Sequence, residues 1–143
     1  MSRLLLVSDI HGHFAALQHA VRRAGFSSSR DRLIVLGDMV DRGPDSRMVV
    51  RWIRDHATRV IRGNHEEMWV EWAQTRQASL LSLLRQNGGS ATLASYGSLR
   101  DFLEDIAWFE TLSLSAHDQG RVMVHAGLRP YLPLASQNAE DLL

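Results

Sequence analysis

Leu33-Ile34-Val35-Leu36-Gly37-Asp38-Met39-Val40-Asp41-Arg42-Gly43 is the stretch on which the reading of this chain turns. An apolar run leads straight into a carboxylate, a second carboxylate and an arginine follow, and two glycines let the backbone turn tightly around them. The run predicts a buried strand. A strand holds its last residue rigidly, so a loop just past its carboxyl end can aim ligands at a point. The pattern recurs along the chain: Leu4 to Val7 precede Asp9 and His11, Val60 and Ile61 precede Asn64, and Val122 to Val124 precede His125. Oxygen and imidazole donors at successive strand ends predict a two-metal site, and such a site points to phosphate ester hydrolysis.

Composition bounds the remainder. A chain of 143 residues predicts a single domain, long enough to bury roughly 68% of its unfolded surface. Acidic and basic residues balance at 16 each, which implies no long-range steering toward nucleic acid. Every basic residue other than histidine is arginine. A GC-rich genome accounts for most of that bias, although the planar guanidinium also suits phosphate. With no cysteine there is neither disulfide nor thiolate ligand, so any metal must be held by oxygen and imidazole. The opening Leu4-Leu5-Leu6-Val7 run is too short for a signal peptide and is closed by Asp9, and no run is long enough to span a membrane. The expected location is the cytoplasm.

The first half alternates apolar runs with amphipathic stretches, as βαβ units do. Strands are expected over Arg3 to Ser8, Arg32 to Leu36 and Arg59 to Arg62. Helical spacing links Phe14, Leu17, Ala20 and Val21, and again Met48, Val49, Trp52 and Ile53, with Asp45 or Ser46 as cap of the second helix. Helix is expected from His65 to about Leu84, broken by Asn87-Gly88-Gly89-Ser90, and then over Ala91 to Tyr96 and Leu99 to Phe109. Leu112 to Ser115 and Arg121 to His125 read as a hairpin that turns at His117 to Gly120.

Each motif taken singly has a plainer meaning. Asp9 and His11 suit an ordinary turn beside a surface histidine, Asn64 is a good N-cap, and His125 fits a half-buried strand-end residue. Asp38 has two oxygens and can bridge two cations. Arg22, Arg23, Arg51 and Arg54 fall on helix faces and fit surface ion pairs, whereas Arg42 and Arg62 sit inside motifs. His13 flanks the expected site; His19, His56 and His117 read as surface or helix-end residues. Trp52, Trp69, Trp72 and Trp108 lie in helical segments, where packing the core or lining a groove is the reading.

Together, Asp9-x-His11-Gly12, Gly37-Asp38-x-x-Asp41-Arg42-Gly43, Gly63-Asn64-His65-Glu66 and His125-Ala126-Gly127 resemble the signature of calcineurin-like metallophosphoesterases, in the phosphoprotein phosphatase branch. The turn Asn87-Gly88-Gly89 before Thr92 and Tyr96, and the string His125 to Pro130, look most like bacterial serine/threonine protein phosphatases. The resemblance covers nearly the whole chain. It implies an α/β (α+β) fold, an α/β/β/α sandwich with mixed sheets, C-terminally incomplete.

The resemblance also implies roles. Asp9, His11 and Asp38 would hold one divalent ion and Asp38, Asn64 and His125 a second, the ions being manganese, iron or zinc. A metal-activated hydroxide would attack phosphorus directly, with no phosphoenzyme. His65 would be the general acid, oriented by Asp41, while Arg42 and Arg62 clamp the phosphate, with Arg129 a weaker candidate. The implied substrate is phosphoserine or phosphothreonine in proteins. The alternatives are a bis(5'-nucleosyl)-tetraphosphatase-like hydrolase and a non-catalytic module that binds metal or phosphate. Relatives of this branch carry one more metal-binding histidine beyond the position of His125, and none follows it here. A weaker second metal site and an exposed sheet edge, open to pairing with another copy, are therefore expected.

Overall fold

The structure, a computed structural model, describes residues 2–143. Strand β1 (Leu4–Val7), helix α1 (Phe14–Arg23), β2 (Arg32–Val35), α2 (Ser46–His56) and β3 (Arg59–Val60) follow one another as two βαβ units. They build a three-stranded parallel sheet in the order β1-β2-β3. The expected strands are thus all present but shorter. Beyond β3, Ile61 continues only as an isolated parallel bridge to Ser113. β2 is covered on both faces, whereas β1, an edge strand, leaves Leu6 half exposed.

Alternation along β2 distributes its side chains between two cores. Leu33 and Val35 enter the main cluster with Val49, Val50 and Ile53 of α2, while Ile34 enters a smaller one with Ile61, Ala116 and Met123. Helices α3 (Asn64–Thr75), α4 (Ala78–Leu84), α5 (Ser90–Ser95) and α6 (Leu99–Glu110) complete the helical layer. Trp69 of α3 packs edge-on against Phe102 of α6, their rings 4.8 Å apart.

The helix expected from His65 to Leu84 is two helices, because Arg76 takes a left-handed conformation and ends α3. The Asn87-Gly88-Gly89 break is also different from a simple turn. Residues Arg85–Gly89 form a wide helical turn that leads from α4 into α5, kinked at Gly88 with φ +99°. Asp45 does occupy the N-cap of α2, although its side chain makes no capping bond.

The hairpin comprises β4 (Ser115–Asp118) and β5 (Arg121–Val124), later than Leu112 to Ser115. Gln119 and Gly120 both have positive φ, the geometry of a two-residue primed turn, and this fixes the register with Ser115 opposite Val124. Ser113, read from its alternating pattern as hairpin strand, instead pairs with Ile61, its carbonyl accepting the Arg62 amide at 2.9 Å. At the tip, Arg32 of β2 pairs with Asp118 through both guanidinium nitrogens. A short helix, α7 (Ala139–Leu142), closes the described chain. No helix among the described residues is long and apolar enough to cross a membrane.

Candidate metal centre

Strand pairing extends past the strand ends into the loops that carry the candidate residues. The His11 amide donates to Asp38 O at 2.9 Å and the Gly12 amide to Met39 O at 2.8 Å, so the loops after β1 and β2 are fastened together. The loops after β2 and β3 touch backbone to backbone. A Cβ on Gly37 would lie 2.5 Å from Gly63 Cα, and only glycine permits that approach. Glu66, completely buried, braces this junction from α3. Its carboxylate accepts the amides of Asp38 and Met39 at 2.8 Å, Gly63 at 3.0 Å and Val40 at 3.3 Å. Burial raises the Glu66 pKa, the Asp38 charge adds to it, and the amide donors only partly offset them.

Gly63, rather than Asn64, is therefore the N-cap of α3, and Asn64 is free to point its amide into the site. Asp9, His11, Asp38, Asp41 and Arg42 all have left-handed backbones, with φ between +46° and +70°. For residues with a Cβ this conformation costs about 1–2 kcal/mol each. Its concentration in these loops marks a functional site.

Asp38 is the centre of the arrangement. Its Oδ2 lies 3.4 Å from His11 Nε2 and its Oδ1 3.5 Å from His125 Nε2. His11 Nδ1 donates to Val40 O at 2.8 Å and His125 Nδ1 to Leu36 O at 2.7 Å. With Nδ1 bonded to a carbonyl, each ring turns Nε2 toward Asp38, the orientation in which histidine binds metal. Asn64 Oδ1 lies 3.1 Å from His125 Nε2. Turned over, the amide donates to Asp38 and His125 at 3.1–3.3 Å; with its oxygen inward, it could offer that oxygen to a cation. Buried His11 Nε2 has no hydrogen-bond partner, as a nitrogen reserved for a metal would.

Two groups converge closely enough to hold an ion, His11 with Asp38 and His65, and Asp9 with Asp38 and His125. Asp38 belongs to both and could bridge. Asp9, exposed at the rim, accepts a hydrogen bond from Ser8 and lines one groove with His13.

His65 is buried and packs edge-on to His11 at 4.7 Å. Its Nδ1 donates to Asp41 Oδ2 at 2.6 Å, and its Nε2 lies 3.3 Å from Arg42 Nη2. Burial pulls the His65 pKa down, but the Asp41 hydrogen bond and the charges of Asp38 and Asp41 outweigh it, so the net shift is upward. Asp41 and His65 are thus brought into contact. Of the two arginines, Arg42 reaches His65, whereas Arg62 Nε pairs with Glu67 at 3.0 Å. Arg129 pairs with Asp141 at 2.7 Å. His19 and His117 are exposed, and His56 stacks on Trp52, as surface and helix-end residues do.

Glu66, Trp69 and Thr92 escaped the sequence reading as site residues. Trp69 Nε1 and Thr92 Oγ1 both donate to Asp41 Oδ1, at 2.9 and 2.7 Å. The available signal was thin. Glu66 stood inside a motif without a task, and Thr92 followed a glycine turn.

Carboxylates, imidazoles and an amide gathered beyond the carboxyl ends of a parallel sheet form a cluster that could hold metal ions. The chain belongs to the calcineurin-like phosphoesterase family, whose model matches residues 2–142. It is 38% identical over 84 residues to serine/threonine-protein phosphatase 1 of Salmonella typhimurium, covering 59% of this chain and 38% of that one. It is 35% identical over 133 residues to the symmetrical bis(5'-nucleosyl)-tetraphosphatase of Aromatoleum aromaticum, covering 87% and 44%. The chain thus spans less than half the length of these two relatives. A crystal structure of a candidate diadenosine tetraphosphatase superposes with TM-score 0.75 at 26% identity, over 97% of this chain and 56% of that one. A serine/threonine phosphatase from Saccharomyces cerevisiae shares the fold, with TM-score 0.66 at 20% identity, over 100% and 48%.

Proposed function

We propose that the loops around Asp38 form the active site of a metal-dependent phosphoester hydrolase, in one domain spanning the described residues. The observation that carries this reading is the convergence of His11 Nε2, His125 Nε2 and the Asn64 amide on the Asp38 carboxylate. Divalent cations held there by Asp9, His11, Asp38, Asn64 and His125 supply Lewis acidity toward phosphate oxygens and lower the pKa of water. Donors made only of oxygen and nitrogen suit manganese, iron or zinc.

The chain's own residues do the rest. Arg42 neutralises charge on the phosphate oxygens, and Arg62 joins it by leaving Glu67. Arg42, turning to the phosphate, frees His65 Nε2. Protonated there, His65 gives that proton to the leaving oxygen as its bond to phosphorus breaks, while the attacking water bonds phosphorus and loses a proton to solvent. Asp41 holds the ring by its other nitrogen throughout, and favours its protonated form.

Two substrate classes fit this chemistry. Broader coverage by the tetraphosphatase relatives favours a dinucleoside tetraphosphate. Higher identity over a shorter stretch to a protein phosphatase favours phosphoserine or phosphothreonine in proteins. Turnover of diadenosine tetraphosphate and of a phosphopeptide, measured side by side with added manganese, separates them. An assay of wild type and His65→Ala on phenyl phosphate, whose leaving oxygen needs a proton, tests the shared mechanism. A drop of about 10²-fold or more in kcat is expected from loss of the acid, and equal rates would remove His65 from its assigned role.

A further inference from the structure

Thr92 lies outside every motif that carries ligands, yet it is completely buried and its hydroxyl is fully used. It accepts the Asp41 amide at 2.8 Å and meets Ser46 Oγ at 3.0 Å, while donating its own proton to Asp41 Oδ1 at 2.7 Å. Because a carboxylate can only accept, the Thr92 proton is committed to Asp41 and Ser46 must donate to Thr92. Trp69 Nε1, from α3, donates to the same Asp41 oxygen at 2.9 Å. Asp41 Oδ2 is thereby left for His65 Nδ1 alone among the hydrogen bonds Asp41 makes. The Asp41 backbone, at φ +70°, is held in its left-handed conformation by the amide bond to Thr92.

We propose that Thr92 is a positioning residue for the proton donor: with Trp69 it fixes the rotation of the Asp41 carboxylate, and so the ring orientation and tautomer of His65. This rests on the proposed function, in which His65 protonates the leaving oxygen. A carboxylate without its two Oδ1 donors rotates about its terminal torsion, and a base or acid misaligned by a fraction of an ångström loses efficiency. The segment Arg85 to Ser95 thereby has a task of its own, since it delivers Thr92 to a loop more than forty residues earlier in the chain.

Leaving-group dependence reads this directly. Phenyl phosphate needs its departing oxygen protonated, whereas 4-nitrophenyl phosphate departs readily without help. Thr92→Val, nearly isosteric, should lower kcat on phenyl phosphate by about 10- to 100-fold. On 4-nitrophenyl phosphate the change should stay within about threefold, with KM little changed on either ester. Thr92→Ser should restore the wild-type ratio. Trp69→Phe, which removes the other donor while filling most of the ring volume, carries the same contrast if Thr92→Val fails to fold.

A second readout is independent of turnover. In the wild type, long-range proton–nitrogen NMR of the His65 imidazole should show a protonated Nδ1 with a strongly downfield hydrogen. That signal should be lost or broadened in Thr92→Val and recovered in Thr92→Ser. Equal loss on both esters, or an unchanged imidazole signal in Thr92→Val, would overturn the proposal. If the wild type turns over neither ester, the proposed function falls, and the imidazole signal still decides the positioning role.

Discussion

Glu66 shows how much one side chain can organise. Four amides from two loops converge on its carboxylate, so the junction of the β2 and β3 loops is built around an acceptor. Glu66→Gln keeps the shape but turns an NH2 toward those donors. We expect a loss of about 2 kcal/mol or more, read by urea denaturation, together with weaker binding of manganese by calorimetry. At this scale the sequence was informative wherever a residue acts through its own chemistry. Asp38, His65 and His125 carried recognisable donors at strand ends, and Asp41 carried the matching acceptor for His65. Thr92 and Trp69 were illegible because their importance comes from being brought beside Asp41 by packing between segments distant in sequence. Arg62 misled for the related reason that its motif position did not reveal Glu67 one turn along α3, which takes its Nε.

Elements place these residues, and their junctions are where sequence and structure part company. Periodicity located β1, β2, α1, α2 and α6 within a few residues, since each has one buried face. The wide turn between α4 and α5 was hidden because a glycine pair signals a break without saying what meets it. There the carbonyl of Gly88, at φ +99°, accepts the Arg42 amide at 3.2 Å, and an added Cβ would lie 2.4 Å from Arg42 N. Gly88→Ala should therefore cost about 1–2 kcal/mol from backbone conformation alone. It should also displace Arg42 and raise KM for a phosphoester.

A second junction, at the start of β1, is electrostatic. Arg3 and two oxygens of Asp31 form a fork, and the Arg3 hydrogen bonds, followed by the Ser27 amide, hold the Asp31 pKa well below the usual aspartate range. A depressed carboxylate stabilises the fold above its unfolded pKa of about 3.9 and loses that contribution as pH falls toward the folded value. The stability gap between wild type and Asp31→Asn should thus be full near pH 6 and narrow progressively below pH 4. A gap that does not change over that range would remove the ion pair from the account.

Across the whole molecule, the site depends on two layers meeting. His125 belongs to the hairpin and the other candidate ligands to the loops of the parallel sheet. The layers are joined by the small core of Ile34, Ile61, Ala116 and Met123, and by the His125 bond to Leu36 O. Met123→Ala, which hollows this core without touching a ligand, should cost about 2–3 kcal/mol and weaken binding of manganese. Unchanged metal affinity would mean that the hairpin holds His125 without help from its packing.

The left-handed residues gathered around Asp38 also set a limit on how sturdy the protein can become while remaining active. Replacing Asp41 or Arg42 by glycine relieves backbone conformations that cost about 1–2 kcal/mol each, less the flexibility glycine adds to the unfolded chain. Arg42→Gly is the cleaner case, since Arg42 is exposed and its side chain makes no hydrogen bond to Asp41. It should melt no lower than wild type while hydrolysing phosphoesters far more slowly. Selection for heat resistance alone would then drift toward inert variants at the very positions where chemistry is concentrated.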